Sequence, residues 1–285
     1  MRARQFAAAG GVVVMAWLAV MGLLAPRLAS AENADLLHER FAFSLGAFFM
    51  SSDTRIRADR FDSRGIGTAF ELEDTFGFDD ESVFRADAMW RVFPRHKLWL
   101  MYFDSHRTAQ RRIEREIRFA DEIFSVGLDV AADFEFEIFE VAYEYELLQG
   151  ERFALGLSLG VHNAGLDLGL SAELSGSVGS GSVRRDERVS TDAPLPVVGV
   201  RGTWRIARDV YLQGHAQYFK LKFGDYDGDI QDYELAVLWQ FSRHVGVGTA
   251  YNAFHTNVDA QDADSFAGQL RWEYDGAQVF VRASF

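Results

Sequence analysis

The chain has 285 residues, 48% of them hydrophobic and 14% aromatic, with no cysteine and a formal net charge of -13. The missing cysteine excludes a disulfide framework, thiolate chemistry, a cysteine-held metal and a cysteine-linked lipid anchor. The acidic balance excludes a nucleic-acid-binding face, which needs clustered basic residues.

At the amino terminus Arg2 and Arg4 precede an uncharged, mostly apolar run from Phe6 to Leu24. Pro26 breaks it, and Ala29-Ser30-Ala31 forms an Ala-x-Ala site before Glu32. This layout predicts a secretory signal peptide over residues 1–31 and a mature domain over 32–285. Cleavage removes Arg2, Arg4 and Arg27, making the mature chain more acidic. No later apolar run suffices for a transmembrane helix, and a period of two residues, rather than 3.6, dominates.

The first predicted strand sets Phe41, Phe43, Leu45, Ala47 and Phe49 on one face and runs on into Thr54–Arg60, which is too polar for lipid. Residues 61–81 are irregular and predict an extra hairpin arm or an inward-folded loop. In Ser82–Phe93, Phe84, Ala86, Ala88, Trp90 and Val92 oppose Arg85, Asp87 and Arg91. Pro94-Arg95-His96 turns into Lys97–Phe103, which is apolar on both faces. Residues 104–125 are dense in Arg and Glu, and two strand arms reaching into solvent are preferred there over a helix.

Phe134, Phe136 and Ile138 lie on even positions, against Glu135 and Glu137. Beyond them Val141, Tyr143, Tyr145 and Leu147 oppose Glu140, Glu144 and Glu146. A single inserted residue inverts phase in this way, so a β-bulge is expected at Ile138–Glu140. A second inversion falls near Asn163, separating Phe153–Val161 from Leu166–Leu170 with Asp167. Residues 173–192 read by composition as a mobile loop. Four further strands follow, carrying Arg201 and Arg205, His215, Asp232 and Glu234, then Val245–Asn252. Loops are expected at 225–229 and 259–264. The last segment shows Phe266–Tyr274 with Arg271 and Glu273 opposite, then Gln278–Phe285 with inverted phase and Arg282 on the second face.

A strand that ends on an aromatic carboxy-terminal residue, Phe285, resembles the closing strand of bacterial outer-membrane β-barrels, of the small OmpA-like or OmpW-like kind. The resemblance implies pairing of this strand with the first, and recognition of Phe285 by the barrel-assembly machinery. The expected fold is all-β: an antiparallel up-and-down transmembrane β-barrel. Tight turns at 94–96, 149–151, 207–209 and 242–244 alternate with longer polar connections, as short periplasmic turns and long extracellular loops do. Because both chain ends of such a barrel lie on one side, the strand number is even. The inversion at Asp275-Gly276 is therefore read as a glycine bulge within one long closing strand, which gives ten. Trp90, Tyr143, Tyr145, Trp204, Tyr218, Trp239, Tyr251, Trp272 and Tyr274 are assigned to the interfacial girdles.

With apolar faces on lipid, the lumen is expected to hold Arg85, Asp87, Arg91, Glu135, Glu137, Glu140, Glu144, Glu146, Asp167, Arg201, Arg205, Asp232, Glu234, Arg271, Glu273 and Arg282, largely as a salt-bridged network. Ser105 and His106 are neighbours in a strand and point to opposite faces, a poor nucleophile–base pair. His162 and His215 are read as lumen-lining groups, and the acidic runs at 225–229 and 259–264 as solvated turns, so no catalytic residue, metal or cofactor is expected. Arginine binds phosphate with a bidentate fork, which makes Arg111, Arg112, Arg115, Arg118, Arg184 and Arg185 candidates for contact with lipopolysaccharide. The expected function is a non-enzymatic outer-membrane barrel with a structural or surface-interaction role. A narrow channel for small solutes is the alternative, and a lipid-modifying enzyme is a third. The expected partners are outer-membrane lipid and lipopolysaccharide, with no nucleic acid.

Overall fold

The computed structural model describes residues 35–59, 67–174, 183–223, 226–260 and 268–285. The expected signal peptide lies outside the described residues. The long strands are β1 (Phe41–Ala58), β3 (Glu81–Phe93), β4 (His96–Arg112), β7 (Asp129–Gln149), β8 (Phe153–Leu174), β9 (Val183–Ala207), β10 (Val210–Phe223), β11 (Tyr226–Trp239), β12 (Val245–Ala260) and β13 (Gly268–Ser284). Short elements lie between them: β2 (Phe70–Glu71), the helix α1 (Leu72–Phe76), β5 (Ile117–Phe119) and β6 (Glu122–Phe124). Each long strand pairs antiparallel with its neighbour, and β13 pairs back onto β1 from Ala42↔Ser284 to Ala58↔Gly268. These ten strands close a barrel; β2 is a rung added to β1.

The chain forms strands because two faces of opposite character alternate along it. Which face is apolar changes with height. Near the rim that carries both chain ends, the outward residues are large and apolar and stand exposed: Phe43, Leu45, Phe84, Leu157, Leu159, Val200, Leu235 and Val281. A lipid-crossing strand needs ~9–11 residues, whereas β7 has 21, β8 has 22 and β9 has 25. The barrel therefore continues well beyond the bilayer. In that outer half the outward positions are polar, as in Glu135, Glu137, Arg271 and Glu273, and the inward ones are apolar. Phe48, Phe103, Phe134, Phe136, Ile138, Leu166, Leu168, Phe254, Trp272 and Tyr274 fill the lumen there as one cluster.

This inversion replaces the expected bulges. Strand β7 stays in continuous register with β4 and β8 through Ile138–Glu140, and even positions point inward from Phe134 to Glu146. The β8–β9 ladder is likewise unbroken at Asn163, and both ladders of β13 run straight through Asp275-Gly276. The chain does not change face. The solvent outside changes from hydrocarbon to water, and the interior changes from polar to apolar. The register shift in β7 lies lower, between Glu146 and Leu148.

Other expectations change for the same reason. Trp272 and Tyr274 are inside the outer core, not in a girdle, whereas Trp90, Tyr143, Trp204 and Tyr218 are exposed on the outer wall. The two-faced Lys97–Phe103 segment sets Leu98, Leu100 and Tyr102 outward, with Met101 and Phe103 buried inside. Residues 183–192, expected as loop, belong to β9, and 226–229 belong to β11.

The outer mouth is closed from within. Phe70, Leu72, Phe76 and Phe78 fold into the lumen, so residues 67–81 take the inward-folded alternative. Helix α1 ends at Gly77, whose φ of 78° suits glycine. Glu73 holds this segment in place: it accepts from Thr54 N at 2.7 Å and from Arg107 Nη1 at 3.0 Å. Arg107 also lies over the Phe78 and Phe134 rings. The β5–β6 hairpin buries Ile117, Phe119 and Phe124 over the same core. The 104–125 region thus forms strand arms, but its hairpin caps the barrel instead of only reaching into solvent.

The face assignment is testable because the chain has no cysteine. Cysteine at position 135 or 271 is expected to react with a membrane-impermeant maleimide on intact cells, and cysteine at 140 or 278 to stay unlabelled. Protection at 135 as well as at 140 would restore the bulged register, which places both inside.

Candidate functional site

Within the membrane level the lumen is a packed polar core in two layers. The periplasmic layer is built on β3, β4, β7, β13 and the lead-in 35–40. Arg91 donates to Glu146 Oε2 at 2.7 Å, to Glu39 O at 3.0 Å and to Leu37 O at 2.8 Å. Lys97 pairs with Glu146 and with Glu144, the latter at 3.6 Å. Arg282 pairs with Glu39. Trp99 Nε1 donates to Glu144 at 2.6 Å. The three cations and three carboxylates of this layer balance.

The lead-in also plugs the periplasmic mouth. Leu36 is buried against Tyr211, Ala236, Leu238, Ala250 and Phe280, and Asp35 receives Arg205 at 2.7 Å. Sequence reading passed over 35–40 because six residues with no partner in sequence give no periodic signal. Phe285 stands exposed at this rim; its N–H donates to Phe41 O at 2.8 Å, and its ring stacks on His244.

Nearer the bilayer centre, Arg85 donates to Asp87, to Glu234 at 2.8 Å and to Asn252 at 2.7 Å. Arg201 donates to Glu140 Oε1 at 2.8 Å and lies over the Trp99 ring. Imidazole and amide groups extend this layer. His215 lies 3.1 Å from Asp232 and 3.3 Å from Arg201, and Gln217 bridges His162, at 3.0 Å, to Glu140, at 2.7 Å. The structure therefore brings together Arg85, Asp87, Arg91, Glu140, Glu144, Glu146, Arg201, Arg205, Asp232, Glu234 and Arg282, and adds Lys97 and Glu39. Glu135, Glu137, Asp167, Arg271 and Glu273 are corrections: all lie on the outer wall above the bilayer. Asp167 pairs there with Arg188 at 2.9 Å, and Arg271 pairs with Glu273.

At the outer rim Arg111, Arg112, Arg115 and Arg118 are all exposed. Arg111 donates to Asp74 O at 2.9 Å, Arg112 to Gly127 O at 2.8 Å, and Arg118 pairs with Glu116 at 3.2 Å. Arg111, Arg112 and Arg115 line one groove with Arg55, Glu71 and Asp74. The side chains of Arg184 and Arg185 lie outside the described residues. His106 faces outward 3.1 Å from Asp133, whose hydrogen bond raises its pKa, while Ser105 points inward to Glu81. Burial, then the charge of Glu273, raises the pKa of Asp53 at the same level.

The periplasmic layer carries a stability prediction. Glu146→Gln leaves Arg91 and Lys97 buried without their carboxylate and is expected to cost about 3–5 kcal/mol, read as a lowered urea midpoint in lipid vesicles. A shift of under about 1 kcal/mol, the value of exposed pairs, would show the layer to be solvated.

No protein-family model and no curated protein sequence matches the chain. Solved structures do resemble it. The outer membrane protease OmpT from Escherichia coli aligns over 90% of this chain and 100% of its own, at 12% identity and a TM-score of 0.55. The Ralstonia pickettii toluene transporter TbuX aligns over 87% and 90% at 12% identity, with a TM-score of 0.36. The attachment invasion locus protein Ail of Yersinia pestis aligns over 85% and 99% at 9% identity, with a TM-score of 0.31. At such identity the OmpT likeness speaks to fold alone. It shows this chain to share the closed, antiparallel ten-stranded barrel fold of that protein; the buried salt-bridged charges in the lumen are seen in this chain's own structure.

Proposed function

We propose that this barrel neither conducts nor catalyses, and that it works through its extracellular half as a surface-interaction protein. The observation that carries this reading is closure of the lumen at three heights. The aromatic cluster fills the outer half, the ion-paired layers fill the middle, and Leu36 with Glu39 plugs the periplasmic mouth. A path for hydrated solutes would need polar walls along its whole length, and the outer half offers hydrocarbon.

OmpT is a protease, and an enzymatic reading of this chain would draw on His106 and Asp133. Against it, Asp133 also holds Arg188 at 3.3 Å, and the neighbouring hydroxyl, Ser105, lies on the opposite face of the strand. The exposed arginines of the outer rim supply the better chemistry. They lie at and beyond the outer end of β4, above the apolar band, and among the described residues Arg111 and Arg112 each give one donor to a backbone carbonyl. The phosphate-bearing lipid is therefore the proposed partner of Arg111, Arg112, Arg115 and Arg118.

In planar bilayers the purified protein is expected to give no steady current at any moderate voltage; reproducible open steps would overturn the sealed-lumen reading. Separately, changing Arg111, Arg112, Arg115 and Arg118 together to Gln is expected to reduce co-purifying lipopolysaccharide several-fold. Retention at the parental level would remove that partner while leaving the sealed barrel intact.

A further inference from the structure

The central layer of the lumen does not balance. Its cations are Arg85 and Arg201; its carboxylates are Asp87, Glu140, Asp232 and Glu234, all linked through the contacts given above. Two negative charges are left over in a place where an uncompensated charge costs several kcal/mol. Protons on the carboxylates, two protonated histidines or one divalent cation would neutralise them, and the metal content of the folded protein separates the last from the others.

The hydrogen bonds weigh against the histidines. His215 Nδ1 faces the Arg201 guanidinium at 3.3 Å, which has only N–H groups to offer, so this nitrogen accepts and Nε2 donates to Asp232. His215 in this arrangement is the neutral tautomer. His162 Nε2 faces Gln217 Oε1, but its Nδ1 is buried without any partner, and the ring lies beside Phe254. An imidazolium there would bury a charged N–H with no acceptor, a larger cost than the neutral Nδ1–H that a ring bound to metal through Nε2 leaves in that place.

We propose that Glu140, His162 and Asp232 form a buried site for one first-row divalent cation. The side chains of all three are buried, and one ligand atom from each lies within 4.8 Å of the others. His162 Nε2 is 3.8 Å from Glu140 Oε1 and 3.9 Å from Asp232 Oδ2. A tetrahedral ion with ligands at ~2.0–2.2 Å sets them ~3.4 Å apart, so the two His162 edges need contraction by only about half an ångström, and the Glu140–Asp232 edge, within 4.8 Å, closes around the ion. One imidazole with two carboxylates suits zinc or manganese better than calcium or magnesium. Gln217 Oε1, 3.0 Å from His162 Nε2, is a candidate fourth ligand. The surroundings hold the ligands as outer partners do in metal sites: His215 donates to Asp232, and Arg201 donates to Glu140. A cavity of about 60 Å³, lined by Glu140, His215, Arg201 and Glu234 among others, adjoins the cluster. Leu36 closes the periplasmic side and the aromatic cluster the other, so the ion is taken up as the barrel closes. This proposal is independent of what the outer rim binds.

Untagged protein is refolded from urea into detergent with Zn²⁺ present, dialysed against a weak chelator, and its metal content measured by mass spectrometry. About one zinc per chain is expected, as in a closed structural site. His162→Gln and Asp232→Asn should lower that content about tenfold or more, whereas Glu144→Gln, in the balanced periplasmic layer, should not. Wild type that folds in the presence of zinc yet carries none, or variants that fold by heat-modifiable gel mobility and still carry a full equivalent, would overturn the site. Should the variants fail to fold, wild type refolded with Co²⁺ decides. A visible absorption band of four- or five-coordinate cobalt is expected, and its absence, with metal released freely to chelator, counts against the proposal.

Discussion

Everything in this molecule follows from the requirement that no backbone N–H or C=O be left unpaired in hydrocarbon. The β1–β13 ladder meets it by joining the two ends of a single meander over seventeen paired positions, Ala42↔Ser284 to Ala58↔Gly268. Closure then fixes two surfaces, one facing out and one facing in, and each must match what surrounds it at each height. The outer wall meets lipid below and water above. The inner wall meets only itself, and fills with paired charges below and packed rings above.

Those two fillings contribute differently. The outer core is an ordinary hydrophobic cluster, in which Phe254 stacks on Tyr274 and Trp272 tilts against Phe136. Its burial stabilises the projecting half of the barrel, which lipid does not support. The lower core has little net stabilisation to offer, because desolvating its charges offsets most of their attraction. What it supplies is specificity: Arg85 reaches Glu234 and Asn252 on two other strands, and Arg201 reaches Glu140 and His215 on two. A barrel of different shear would separate them.

The architecture was legible in the sequence because alternation survives any rearrangement of what lies outside it. The strands and the tight turns follow from it; the pairing of the last strand with the first, and the even strand number, followed from the resemblance that Phe285 carries. The direction of each face was not equally legible. Alternation reports that two faces differ, without saying which one is inside. Where Phe134, Phe136 and Ile138 give way to Val141 and Tyr143, an inserted residue and a change of surroundings produce the same string. Strand length separates them: β8 and β9 exceed a bilayer span twofold, which leaves the upper half in water. That reasoning places Glu135, Glu137, Arg271 and Glu273 outside. The central cluster was invisible for another reason. Glu140, His162, His215 and Asp232 come from four strands, and only the register brings them to one height.

The lead-in at 35–40 has a consequence for the order of assembly. Leu36 rests on residues of β10, β11, β12 and β13, and Glu39 pairs with Arg282 near the last residue of the chain. These surfaces come from the last four strands to be synthesised. The first described residues of the protein therefore have no place to dock until the final strands are in position. Arg91 grips the backbone of Leu37 and Glu39 from the opposite wall. Seating of the amino-terminal segment is thus a terminal folding step, and it latches the seam between the first and last strands from the inside.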